Sequence, residues 1–142
     1  MLRRLLQTTS DKSIILIRLL VGCVFLSEGI QKILFNEILG AGRFQEIGIP
    51  APHFWGPFVG KVEICCGILI LIGLLTRLAS IPLIVIILVA LATTKFDIYL
   101  DKGFWELLHA SRTDWSMLLG SIFLFIKGGG YFSLDEDILK RK

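Results

Sequence analysis

Glu28 and Lys32 stand one helical turn apart in the stretch FLSEGIQKILF, at the end of a long apolar run. A second carboxylate, Glu63, sits inside another apolar run, PFVGKVEICCGILILIGLL. An ionised residue at the centre of a bilayer helix costs about 2.5–3.5 kcal/mol. Removing one partner of a buried pair costs about 3–5 kcal/mol. Two acids and an amine kept in such segments point to one of two roles: a structural ion pair, or a site that handles a proton or binds a ligand. Lys32 alone also admits an outward, snorkelling reading, because its stem is long.

Helical periodicity sorts these residues. At about 100° per residue, Arg18, Gly22, Phe25, Glu28, Gly29 and Lys32 fall within one arc of roughly 120°. Leu16, Leu19, Leu20, Ile30 and Leu34 take the opposite side. In the second run Gly56, Gly60, Glu63 and Gly67 share a stripe, and Lys61 points elsewhere. Small residues let membrane helices approach closely, so the glycine face is the inner face of a bundle. Glu28 and Glu63 come out at matched depth, each roughly 10 Å from its helix end by the 1.5 Å rise. A Glu28–Lys32–Glu63 cluster follows, which His109 and Asp114 could join. Arg18 either anchors the other end or reaches headgroups there.

The elements that must carry this cluster are membrane spans. The chain has 142 residues and is 54% hydrophobic, with a mean hydropathy of +0.76. A soluble domain of this size leaves too much surface exposed to hide so much apolar area. Four stretches are long enough or nearly so: 13–35, 57–75, 78–94 and 114–127. Pro57 is expected near a helix start and Pro82 in a first turn. Thr113 or Asp114 caps the fourth span, Trp105 to Ala110 adds an interfacial turn, and Gly128 to Gly130 end it. The expectation is an all-α, four-helix transmembrane bundle formed by one domain over residues 1–142.

Basic residues set the orientation. Arg3, Arg4, Lys12, Arg77, Lys127, Lys140, Arg141 and Lys142 flank one side, against Arg43, Lys95, Lys102 and Arg112 on the other. The positive-inside rule then places both termini in the cytoplasm, in a multi-pass protein of the bacterial inner membrane. The apolar run after Lys12 lacks a small-residue cleavage signal and reads as a retained span. The first outer connection, GRFQEIGIPAPHFWG, is either an ordinary loop with an aromatic belt or a short amphipathic segment across the bundle mouth. Trp55, Trp105 and Trp115 either roof a pocket there or form that belt.

Other classes fit poorly. No basic stripe with interleaved aromatics suggests nucleic acid. The histidines lack metal-ligand spacing, and Cys65 and Cys66 are adjacent rather than a bridged pair. Cys23 and Cys65 face away from the charged arc, and Cys66 lies about 60° from Glu63 on the wheel. No haem, iron–sulfur or nucleotide fingerprint is present.

The pattern resembles the DoxX family of small four-helix membrane proteins over nearly the full length. The resemblance rests on IRLLVGCVFLSEGIQKIL, FQEIGIPAP, VGKVEICCGILILIGLLTRLAS and KGGGYFSLDEDI. The matching positions are Arg18, Gly29, Lys32, Pro50, Pro52, Glu63, Gly67, Arg77, Gly130 and Asp135. Glu28 departs from the family, where His or a small residue is common before that glycine. The resemblance implies a redox-associated membrane subunit, linked to quinone or to oxidative stress, with a protein partner. Relatives that act as chaperones or cargo receptors imply the alternative, a non-enzymatic scaffold. On the first reading Glu28 and Glu63 take or relay a proton, Lys32 holds their charge or polarises a carbonyl, and Arg18, His109, Asp114, Trp55 and Trp115 shape the ligand site. A homo-oligomer is left open.

Overall fold

The computed structural model describes residues 8–140. Arg3, Arg4, Arg141 and Lys142, which entered the charge argument, lie outside the described residues. Every regular element among the described residues is helical. In chain order these are α1 (Ile14–Leu34), α2 (Ala41–Glu46), α3 (Pro52–Ile72), α4 (Thr76–Ala90), a π-helical segment (Leu91–Lys95), α5 (Phe96–Lys102), α6 (Phe104–Ala110), α7 (Arg112–Lys127) and α8 (Leu134–Lys140). Among the described residues three helices are long and apolar enough to cross a membrane: α1, α3 and the continuous run Thr76–Lys102. α7 has 16 residues, short of the roughly 20 that a perpendicular crossing needs.

Several boundaries move relative to the sequence reading. α3 begins at Pro52, which holds its first turn, so Pro57 lies inside the helix. α4 begins at Thr76, so Pro82 also lies inside its helix; proline has no N–H to give to the preceding turn. The cap position before α7 is Ser111, not Thr113 or Asp114. The glycines after Lys127 do end α7, with Gly128 at φ 81°.

α1 packs chiefly on α3, and α4 chiefly on α7. The first contact is made by glycines seven apart on each helix. A Cβ on Gly29 would stand 2.5 Å from the Gly60 carbonyl oxygen, and one on Gly67 would stand 2.9 Å from the Leu26 amide nitrogen. Backbone therefore touches backbone along this seam. Val21, Phe25, Cys66, Ile70, Leu83, Ile87, Met117 and Leu124 fill the core between the two pairs. Outward faces carry Leu16, Leu34, Leu119 and Ile126, as lipid contact requires. Cys23 and Cys65 are exposed and Cys66 is buried, as the helical wheel has them.

The segment before α1 meets the segment after α7. The Thr9 amide donates to the Lys127 carbonyl at 3.0 Å, and the Tyr131 amide donates to Asp11 at 3.2 Å. Arg18 does not reach outward from this end; it is 2% exposed. Its guanidinium donates to the carbonyls of Ile70 and Leu71, which close α3, and to those of Gly129 and Phe132. Carbonyls at a helix end have no intrahelical partner, so a cation there satisfies them. Asp135 does the converse for α4: its two oxygens accept the Leu75 and Thr76 amides at 2.7 and 3.0 Å. Leu75 is left-handed at φ 50°, a conformation costly for a side-chain-bearing residue. Gly73, at φ 70°, leaves the space where a Cβ would meet Ser133 and the Arg18 guanidinium. Beside this junction Glu136 receives Ser10 Oγ at 2.9 Å and Lys140 at 2.9 Å, and the hydrogen bond to Glu136 pushes the Lys140 ammonium above its ordinary value.

Asp135→Ala orphans two amides and leaves Arg18 without the nearby carboxylate, which should cost about 3 kcal/mol. Thermal unfolding in detergent checks this, and an unchanged melting temperature rejects it. Gly29→Val forces α1 off α3 at the tightest part of the seam; the expected result is a lower melting temperature still, with loss of the monodisperse species on gel filtration.

Candidate functional site

The chemistry-bearing residues lie at the end of the bundle away from the chain termini. Lys32 on α1 bridges the helix pair: its Nζ lies 2.9 Å from Glu63 Oε2, donates to Oε1 at 3.1 Å, and lies 3.4 Å from Glu28 Oε2. This triad is the cluster expected from the helical wheel. Its members are unequally sheltered. The Glu63 side chain is 3% exposed, Lys32 15% and Glu28 55%. Lys32 is thus drawn inward, away from the snorkelling position. Glu63 Oε2 is buried and, although close to the ammonium, has no aligned hydrogen-bond donor among the described residues.

The triad faces a cavity of about 1060 Å³ bounded by α1, α3, α4 and the start of α7. Its walls are mainly apolar, with Phe25, Phe58, Val62, Val85, Ile86 and Met117 among them. Across the mouth lies α2 with its flanking residues, and Leu39, Phe44, Ile47 and Ile49 line the cavity. The first connection is therefore the short amphipathic segment rather than an open loop. Gly56 makes that seat: a Cβ there would stand 2.5 Å from the Ala41 amide. Trp55 lines the cavity and forms an edge-on aromatic group with Phe54 and Phe58.

Other expected site residues lie elsewhere. His109 is exposed on α6 and contacts Arg112, with ring nitrogen to guanidinium at 2.8 Å. Trp115 is 44% exposed and Trp105 81%, and neither lines the cavity. Arg18 belongs to the junction at the opposite end. Asp114 does line the cavity, but its ion-pair partner is Lys95, at 3.3 Å. Sequence reasoning missed that pair. The charge count places Lys95 in the third connection or just inside the third span; it closes the π-helical segment Leu91–Lys95, which has no signature in a hydropathy pattern. Thr93 and Thr94 in that segment donate their hydroxyls back to the Val89 and Ala90 carbonyls at 2.8 and 2.6 Å, satisfying groups that the wider turn leaves loose.

The chain matches the family model described as DoxX over residues 13–95. It also matches the model described as TQO small subunit DoxD over residues 57–142. It is similar to the uncharacterized membrane protein Rv3486 of Mycobacterium tuberculosis, 51% identical over 144 residues, covering 97% of this chain and 88% of that one. A weaker likeness, 26% over 129 residues, covers 90% of this chain and 88% of the Bacillus subtilis protein named "Putative oxidoreductase CatD". No solved structure matches the chain.

The unequal burial makes the triad testable. Lys32→Met strands the Glu63 carboxylate and should cost about 3–5 kcal/mol, while Glu28→Gln should change stability by no more than about 1 kcal/mol. In Lys32→Met/Glu63→Met the orphaned charge is gone, and most of the loss should be recovered. Melting temperatures of the three variants decide it; equal losses from Lys32→Met and Glu28→Gln would reject the assignment of Glu63 as the principal partner.

Proposed function

Because the chain belongs to the DoxX family, we propose that this membrane protein is the membrane subunit of a redox system, whose cavity takes a small amphiphile of the quinone kind. The observation that carries the reading is the placement of a buried carboxylate and an ammonium at one wall of a large apolar cavity. Apolar walls suit a ring and tail, and a few convergent polar groups fix orientation. In this reading Glu63 accepts a proton from a ligand hydroxyl. Lys32 holds the carboxylate charge and donates to a ligand oxygen. Glu28, half outside, passes the proton to water. Electrons go to the protein partner that a subunit implies. The family likeness to a small subunit and to a named oxidoreductase supports the redox side. The bundle reading adds α6 and α7 as a tilted fourth crossing. This puts both termini on the cytoplasmic side of the bacterial inner membrane and the cavity in the outer half, in keeping with the meeting of the segments before α1 and after α7 and with the distribution of basic residues.

The alternative is a scaffold or chaperone that grips a client helix through the same charged face. Purification from native membranes in mild detergent, followed by mass spectrometry of the extract, separates the two. The redox reading expects a stoichiometric small amphiphile that is lost in Glu63→Gln, an exchange that keeps shape and hydrogen bonding. A co-purifying protein with no small molecule, unaffected by Glu63→Gln, would overturn it in favour of the scaffold.

A further inference from the structure

The cavity has polar groups on both of its sides. On the α1–α3 side stand Glu63, Lys32 and Glu28; on the α4–α7 side stand Lys95 and Asp114, with Thr93, Thr94 and Thr113 beside them. Most of the remaining lining is apolar. Lys95 is fixed in place: its Nζ donates to the Ala110 carbonyl at 2.9 Å and lies 3.3 Å from Asp114 Oδ2. An ammonium carries three donors, and among the described residues only the bond to Ala110 is an aligned hydrogen bond, so Lys95 keeps donating capacity for the cavity. Asp114 makes its ion pair at this long distance and accepts no aligned hydrogen bond among the described residues. On the facing side, Glu63 Oε2 is the buried oxygen without an aligned donor. Each side thus offers an acceptor and holds a cation: Lys95 balances Asp114, Lys32 balances Glu63 with half-exposed Glu28 left over, and Arg43, which also lines the cavity, pairs with Glu46, so a charged head would break a pair at either station.

We infer that Lys95 and Asp114 form a second polar station in the cavity, so that it takes a neutral amphiphile with two oxygen functions at opposite ends of its head, one hydroxyl at Glu63 and the other at Lys95 and Asp114. The inference rests on the cavity reading above and names the ligand class that fills it. The π-helical segment is the local departure that carries Lys95 at the cavity edge, and such departures recur at functional positions. A ligand with only one oxygen function would satisfy one station and leave the other dry and unpaired.

The test uses three probes on the full chain in detergent: a 1,4-hydroquinone bearing a decyl chain, its monomethyl ether and its dimethyl ether. Binding is read by isothermal titration calorimetry. The diol should bind the wild type about tenfold more tightly than the monoether, one charge-assisted hydrogen bond's worth. Lys95→Met/Asp114→Leu removes the second station without stranding a charge. It should bind the monoether within about twofold of wild type while the advantage of the diol collapses to less than about twofold. Where that double variant does not fold, Asp114→Asn is read by the same ratio. Retention of the tenfold advantage in these variants, with Glu63→Gln still weakening all hydroxyl-bearing probes, overturns the second station and leaves the cavity reading standing. If Glu63→Gln binds all three probes as the wild type does, the cavity reading itself fails and the second station falls with it.

Discussion

Close approach of α1 and α3 is the constraint on which the other features depend. Gly22 and Gly29 on one helix meet Gly60 and Gly67 on the other. With backbones this near, van der Waals contact replaces the hydrophobic drive that lipid does not supply. The same proximity sets the length of the charged bridge. Lys32 reaches Glu63 at 2.9 Å because the residues that flank it, Gly29 and Gly60, leave no side chain in between. Larger residues there would push the helices apart and expose a carboxylate to lipid. Packing and electrostatics at this seam are one fact seen twice.

The opposite end obeys a related rule. A short turn between α3 and α4 leaves carbonyls on one side and amides on the other without helical partners. Lipid offers no substitute for them. The chain solves this with side chains imported from far away in sequence: Arg18 for the carbonyls and Asp135 for the amides. That is why a polar C-terminal segment folds back onto a membrane bundle. One end of the molecule is therefore stitched shut, and the other end is free to hold space.

Much of this was legible in the residues. By periodicity alone Glu28 and Lys32 shared a face with Gly22 and Gly29 on one helix, and Glu63 shared a stripe with Gly60 and Gly67 on the other, and those glycines identified the interior. Burial of Arg18 was half legible: its face was right, but its partners are backbone carbonyls, which no side-chain pattern announces. The Lys95–Asp114 pair was hidden for two reasons. Its members sit 19 positions apart across two turns of chain, and the π-helical segment shifts the register that a wheel assumes. His109 and Trp115 looked eligible because they enter on the right side of the bundle. Their side chains point to Arg112 and to the exterior, which depends on where α6 turns into α7 at Ser111. The early start of α3 escaped because Pro57 reads as a boundary, whereas Pro52 already supplies one.

The run from Thr76 to Lys102 counts 27 residues, about 40 Å of helix, while α1 and α3 at 21 residues each span about 31 Å and match a hydrocarbon layer of roughly 30 Å. One bundle therefore holds members of two lengths. The long one tilts or stands proud of the layer, and Asp97, Asp101 and Lys102 mark where it must leave the hydrocarbon. A thicker bilayer draws it upright and a thinner one lays it over. Lys95 rides on that helix while Lys32 rides on a helix of matching length. The two polar sides of the cavity therefore ride on helices that match the hydrocarbon layer differently.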